Sequence, residues 1–194
     1  MRKAQQKRET KETSIDLQLN VDGTGKSQIK TGIGFFNHML TLLSSHGFMD
    51  LDVTCDGDLE VDLHHTVEDV GIVLGKVFKE ALGDKNGITR YATEHSPMDE
   101  ALSLIALDIS GRAYLHFDVD IPVEKVGQFD TELVEEFFRA FVNHAEITLH
   151  INLLYGKNGH HIIESIFKGV GRAIDRATEV QERIQGVRST KGLL

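Results

Sequence analysis

The pattern His-His-x-x-Glu occurs twice in this chain of 194 residues, as His64-His65-Thr66-Val67-Glu68 and as His160-His161-Ile162-Ile163-Glu164. Each copy opens a segment with helical periodicity, and the elements leading up to each copy run in the same order. A repeated motif in a repeated setting constrains the chain to a fold made of two related halves. The two copies hold four of the ten histidines, and imidazole with carboxylate is a donor set for divalent transition metals.

The halves can be traced through their periodicity. Residues 13–20 alternate Ile15, Leu17 and Leu19 with Asp16, Gln18 and Asn20, which predicts a strand with one buried face. Residues 22–25 read as a turn and 27–30 as a short return strand. Phe35, Phe36, Met39, Leu40, Leu42 and Leu43 predict a helix over 33–45, with Gly47 at its C-terminal end. Leu51, Val53 and Cys55 give a further strand, and 64–82 a second helix ending at Gly83. The second half repeats strand, strand, helix, strand, helix over 101–109, 113–119, 131–145, 148–154 and 160–179. Connections this short predict an α+β architecture with mixed sheets and helices packed on one face. The expected organisation is a single domain over 1–194, with repeat halves at about 10–95 and 98–185. A tail over 186–194 has little apolar periodicity and is expected to be flexible unless a ligand or a neighbouring copy orders it.

Helical geometry sharpens the metal reading. Residues i and i+4, and nearly i and i+3, share a helix face, so Glu68 can stand beside His64 or His65. Adjacent residues diverge by about 100° around the axis, so neighbouring imidazoles cannot easily serve one ion. Two such motifs predict a pair of metals, or metals shared across subunit contacts. His38 lies in the helix before the first motif, and Glu136 holds a comparable place before the second. The candidate ligands are therefore His38, His64, His65, Glu68, Glu136, His160, His161 and Glu164. A nitrogen and oxygen set without sulfur suits Mn²⁺, Fe²⁺, Co²⁺ or Zn²⁺, and octahedral coordination favours manganese.

Thirty acidic against 21 basic residues, a net charge of −9, argue against a nucleic-acid surface. No apolar run approaches membrane-spanning length, and the basic start lacks the apolar stretch of a secretory signal. The lone cysteine, Cys55, cannot form an intrachain disulfide and fits a reducing compartment. The cytoplasm is the expected location.

The chain closely resembles the imidazoleglycerol-phosphate dehydratase family in residues 8–193. The resemblance is carried by Lys11-Glu12-Thr13, Gly34-Phe35-Phe36-Asn37-His38-Met39-Leu40, Asp62-Leu63-His64-His65-Thr66-Val67-Glu68-Asp69 and Pro97-Met98-Asp99-Glu100-Ala101-Leu102. It continues through Asp108-Ile109-Ser110-Gly111-Arg112, residues 160–168 and Ser189-Thr190-Lys191-Gly192. In this order and spacing the motifs are specific. The resemblance implies a hydro-lyase of histidine biosynthesis that converts imidazole glycerol phosphate to imidazole acetol phosphate. It also implies a ribosomal protein S5 domain 2-like fold, two Mn²⁺ per site that stabilise an imidazolate, and a homo-oligomer, of twenty-four subunits in the family, with sites at subunit interfaces.

The family's residues carry over position by position. Glu12, His46, Glu68 and Glu164 are the expected catalytic groups, with the partition of acid and base among them open. Besides these four, His38, His64 and His160 are expected at the substrate. Arg90, Arg112, Lys168, Ser189, Thr190 and Lys191 resemble the family's phosphate-binding set. Many members carry histidine where this chain has Glu136, which adds a negative charge, and His95 stands where a small or apolar residue is usual. His116, His144 and His150 fall outside the paired motifs and are assigned to packing or surface. A carboxylate-bridged di-iron enzyme is a rival reading, but such sites use Glu-x-x-His on four-helix bundles, the reverse order without strands. A non-catalytic metal-storage shell is another; it would leave Arg90, Arg112 and Lys191 scattered.

Overall fold

The apolar alternation of residues 13–20 becomes the central strand of one sheet, and its counterpart over 101–108 the central strand of another. A computed structural model describes residues 1–194. In chain order the elements are β1 (Lys3–Glu9), β2 (Thr13–Asn20), β3 (Ser27–Lys30), α1 (Gly34–His46), β4 (Asp50–Gly57) and α2 (His64–Leu82). They continue as β5 (Tyr91–Met98), β6 (Ala101–Asp108), β7 (Tyr114–Asp118), the short β8 (Lys125–Val126) and β9 (Phe129–Asp130), α3 (Leu133–Ala145), β10 (Thr148–Tyr155) and α4 (Gly159–Thr178).

The sheets are ordered β1-β2-β4-β3 and β5-β6-β10-β7. In each, the first three strands pair antiparallel and the last pair is parallel. The α+β architecture with duplicated halves and mixed sheets is thus present; each half carries an edge strand that the periodicity does not show, β1 or β5, and the second half adds the short β8–β9 pair. Inward-facing Ile15, Leu17, Leu19, Leu51 and Val53 of the first sheet and Ile105, Leu107, Leu149 and Ile151 of the second are all 3% exposed or less. They belong to one apolar cluster of 45 buried residues that also takes in all four long helices, so neither half encloses a core alone.

What positions the functional residues is a crossed pairing of helices: α2 packs on α3, and α1 on α4. Glycine permits both approaches. Gly75 and Gly171 hold the same place in the repeat, each eleven residues past the first motif histidine. A Cβ on Gly75 would lie 2.5 Å from the Phe141 carbonyl oxygen, and one on Gly171 would lie 2.6 Å from that of Leu43. Alanine at either position should cost about 1–3 kcal/mol by overpacking, despite its better helix propensity. Denaturant unfolding checks the cost. Metal affinity should fall more for Gly171→Ala than for Gly75→Ala, because the former displaces the helix that carries His38.

The tail past α4 forms no helix or strand, but its start is held: Gly87 N–H donates to the Gly186 carbonyl at 2.8 Å, and Arg90 Nη1 to that of Arg188 at 2.7 Å. No helix is long and apolar enough to cross a membrane. Cys55 is buried, and burial pushes its thiol up to about 11, which leaves it unreactive near neutrality.

Candidate metal centre and anion pocket

Both motifs open their helices behind the same device. Asn158 caps α4 by accepting the N–H groups of His160 at 2.9 Å and His161 at 3.3 Å, and Asp62 accepts the N–H of His64 at 2.8 Å. An Asx side chain two residues ahead satisfies amide groups the helix cannot, so the histidines begin the first turn with their rings projecting from the helix end. Adjacent rings diverge, with interplanar angles of 83° for His64 and His65 and 78° for His160 and His161.

The α1–α4 crossing brings three predicted ligands together. Nε2 of His160 lies 3.1 Å and Nε2 of His38 3.6 Å from Oε2 of Glu164. The ligand atoms of all three lie within 4.8 Å of one another. Glu164 itself is 7% exposed, and its other oxygen is paired with Lys168 one turn along α4. Burial pushes the Glu164 carboxyl up, but the Lys168 ammonium and His160 outweigh it and hold the group below the ordinary glutamate value. A buried carboxylate kept ionised between two imidazole nitrogens is a fit for a divalent cation, with positions left open for further ligands.

The remaining candidates sit elsewhere on the chain. Nε2 of His64 is 3.7 Å from Glu68, on α2. Glu136, in the first turn of α3, faces Arg139 at 3.8 Å and does not join the His38 group. His65 and His161 are each turned by a carboxylate: Asp58 lies 3.0 Å from Nδ1 of His65, and Glu100 2.6 Å from Nδ1 of His161. Both rings are therefore held with Nε2 outward, as in metal ligands oriented from behind. The same contacts raise the pKa of both histidines, and that of Glu100 is brought down to about 2 by His161 together with the Asn158 and Lys157 amides. Asp58 and Glu100 were not legible as site residues, since Glu100 lies 61 residues from His161 and only the tertiary fold joins them.

His46 ends α1 on the same side as this cluster. Burial lowers its pKa, the Lys168 and Arg172 charges lower it further, and Glu164 opposes them without prevailing. A histidine with a depressed folded-state pKa contributes stability that is present above its unfolded value of 6.5 and lost as pH falls through the folded value. Acid destabilisation of the metal-free protein should accordingly begin below pH 6.5, and His46→Asn should flatten that limb of a stability–pH curve.

The anion candidates separate. Arg90, Arg112, Ser189, Thr190 and Lys191 line one cavity of about 840 Å³ together with Arg188. Arg90 is buried, its guanidinium gripping both oxygens of Asp108 at 2.7 and 3.2 Å. Its backbone has φ +76°, a left-handed conformation held by the Arg90 N–H donating to the Ala177 carbonyl at 2.7 Å. Lys168 departs from this group: its place on α4 sets it against Glu164, so it belongs to the histidine cluster. Neither α1 nor α2 reaches the cavity. Glu12 is exposed, its backbone carbonyl accepting the Asp58 N–H at 3.1 Å. His116 and His150 are neighbours on β7 and β10, their rings tilted by 38° with centroids 5.4 Å apart, and Nδ1 of His144 lies 2.9 Å from the Ala140 carbonyl. His95 is exposed on β5.

Comparison with known proteins shows the family to which the chain belongs. Residues 31–174 match the family model described as imidazoleglycerol-phosphate dehydratase. A relative of that name from Oceanobacillus iheyensis is 64% identical over 194 residues, covering all of both chains. Another from Clostridium novyi is 60% identical over 193 residues, 100% of this chain and 98% of its own. The crystal structure of imidazoleglycerol-phosphate dehydratase from Staphylococcus aureus superposes with a TM-score of 0.85 at 45% identity, over 92% of this chain and 99% of that one. A complex of the Pyrococcus furiosus protein gives 0.83 at 38% identity, over 97% and 100%.

Proposed function

The chain belongs to the imidazoleglycerol-phosphate dehydratase family, and from that premise we propose that it dehydrates imidazole glycerol phosphate to imidazole acetol phosphate in histidine biosynthesis. The observation that carries the reading is the meeting of His38, His160 and Glu164, whose ligand atoms lie within 4.8 Å of one another. His38, His160 and Glu164 would hold one Mn²⁺; His64, His65, Glu68, Glu136 and His161 are the ligands for a second and for completing the first. Two Mn²⁺ so held would supply Lewis acidity at the ring nitrogens of the substrate and stabilise its imidazolate form.

The chain's own groups have the remaining tasks. The hydroxyl to be lost sits on the carbon attached to the ring, and the proton to be removed sits on the next carbon, so an acid and a base must stand on the path between them. Glu12 is exposed and unpaired, burial and the Lys168 and Arg172 charges hold the His46 pKa below its ordinary value, and Glu68 and Glu164 each carry a carboxylate beside an imidazole. Dehydration yields an enol, which takes up a proton to become the ketone. Arg112, Lys191, Ser189 and Thr190 would bind the phosphate, with Arg90, locked by Asp108, as a fixed positive wall.

The anion cavity and the histidine cluster do not share a residue in one chain, which supports a homo-oligomer whose sites are completed by a neighbouring copy; light scattering at the mass of one chain would contradict it. The cytoplasm remains the proposed location. The phosphate assignment is tested by Lys191→Ala. Loss of one charge-assisted bond should raise KM by about 10- to 100-fold with kcat nearly kept. A fall in kcat at constant KM would move Lys191 out of the binding group.

A further inference from the structure

The two halves share strand order and central register, and the glutamate that precedes the second strand has diverged in role between them. Leu17 faces Val53 across β2 and β4 as Ile105 faces Ile151 across β6 and β10. In that register Glu12, immediately before β2, occupies the place of Glu100, immediately before β6. His65 corresponds to His161 in the same way.

The equivalent glutamates behave differently. Glu100 is fully engaged: Oε2 lies 2.6 Å from Nδ1 of His161, and Oε1 accepts the N–H of Asn158 at 2.8 Å and of Lys157 at 3.2 Å. The carboxylate of Glu12 has no partner in the chain; only its backbone is held, its N–H by Thr10 Oγ1 and its carbonyl by the N–H of Asp58, both at 3.1 Å. The position beside His65 that the repeat would give to Glu12 is taken by Asp58, whose oxygens lie 3.0 and 3.2 Å from Nδ1. Asp58 follows Gly57, and the bulge between Leu153 and Tyr155 makes Gly156 the counterpart of Gly57, packed against Ala101 and Ile162 as Gly57 is against Thr13 and Thr66; the residue in the place of Asp58 is therefore Lys157, which has no carboxylate to offer. The carboxylate at Asp58 therefore belongs to the first half alone.

We propose that Asp58 and Glu100 are the positioning residues of the metal site, and that Asp58, by taking over His65, releases Glu12 as a free carboxylate. A carboxylate on Nδ1 keeps the proton there and presents Nε2 as a bare donor, whereas a free imidazole favours the proton on Nε2. Without Asp58 the first half would have to spend Glu12 on its histidine, as the second half spends Glu100. Duplication thus supplied two orienting glutamates, and the added aspartate made one of them available to a substrate.

This inference rests on the metal-site reading above, and the test separates the two. Full-length protein is stripped with chelator and titrated with Mn²⁺, free metal being read by electron paramagnetic resonance and folding by circular dichroism. Asp58→Ala and Glu100→Ala should each weaken Mn²⁺ binding by about 10- to 100-fold. Asp58→Asn, which keeps size and backbone contacts, should weaken it in the same direction, and serves if the alanine variants do not fold. Glu12→Gln alone should leave Mn²⁺ affinity within about twofold. In the Asp58→Ala background it should weaken binding further, because the repeat gives Glu12 the place from which Glu100 serves His161. A wild-type protein that takes up no Mn²⁺ overturns the metal reading itself. A wild type that binds, with folded Asp58 and Glu100 variants binding equally well, overturns the positioning role alone. Strict additivity of Asp58→Ala and Glu12→Gln overturns the substitution of one carboxylate for the other.

Discussion

Glu164→Gln should lower turnover by about 10²- to 10⁴-fold while the protein remains folded. Glu164 is the hinge of the cluster: one oxygen serves His38 and His160, the other the Lys168 ammonium. The amide fills the same space but removes the charge that offsets Lys168 and that a divalent ion requires. Lys168 is itself largely buried, so some stability is lost as well, about 1–3 kcal/mol for a charge left without its partner. The contrast between the two effects is the diagnostic. Turnover of Mn²⁺-reconstituted protein and thermal unfolding, measured side by side, should show activity falling far beyond what the folding loss explains. A parallel decline in both would make Glu164 a structural residue.

Phe137→Ala should cost about 3–5 kcal/mol, the largest stability loss expected from a single substitution in this chain. Phe137 is 1% exposed and joins three helices. Its ring lies 5.3 Å from Phe36 of α1, 5.4 Å from Phe167 of α4, and 5.1 Å from Phe138 within α3. Truncation leaves a cavity where the two crossed helix pairs meet, and neighbours this large cannot collapse into it without moving backbone. In a domain of this size the loss corresponds to a fall in melting temperature on the order of 10 °C. Phe36 lies two residues from His38, so metal affinity should also decline. Calorimetry of the metal-free variant checks the stability term separately from the site.

Legibility followed the physics of each element. Helix α2 runs from His64 to Leu82, the span predicted, because its apolar stripe is continuous and Gly83 ends it. Strand β2 was equally clear, since alternate residues point into the core. Strands β1 and β5 gave no such signal. The half-buried side of β1 is Ala4, Gln6 and Arg8, and the buried residues of β5 are Glu94 and Ser96, so neither strand alternates apolar with polar. Glu94 is tolerated at 3% exposure because Arg172 and Arg176 of α4 reach it at 2.9 and 3.0 Å. Pro97 fits β5 because that strand lies at a sheet edge.

For the site, motif spacing identified the histidines but not which of them meet. That depends on α1 crossing to α4 of the other half, a contact set by Gly171 and the phenylalanine cluster. The separation of Lys168 from the other anion-binding candidates follows from the same crossing. No local pattern encodes the roles of Asp58 and Glu100, because each acts through a neighbour that only folding supplies.

The most direct measurement is ketone formation from imidazole glycerol phosphate by chelator-stripped protein titrated with Mn²⁺. The stripped protein should form no ketone, and activity should return in step with metal bound. Full turnover after stripping, or none in protein shown to be Mn²⁺-loaded, would contradict the assignment of the His38–His160–Glu164 cluster as the centre of a dehydratase.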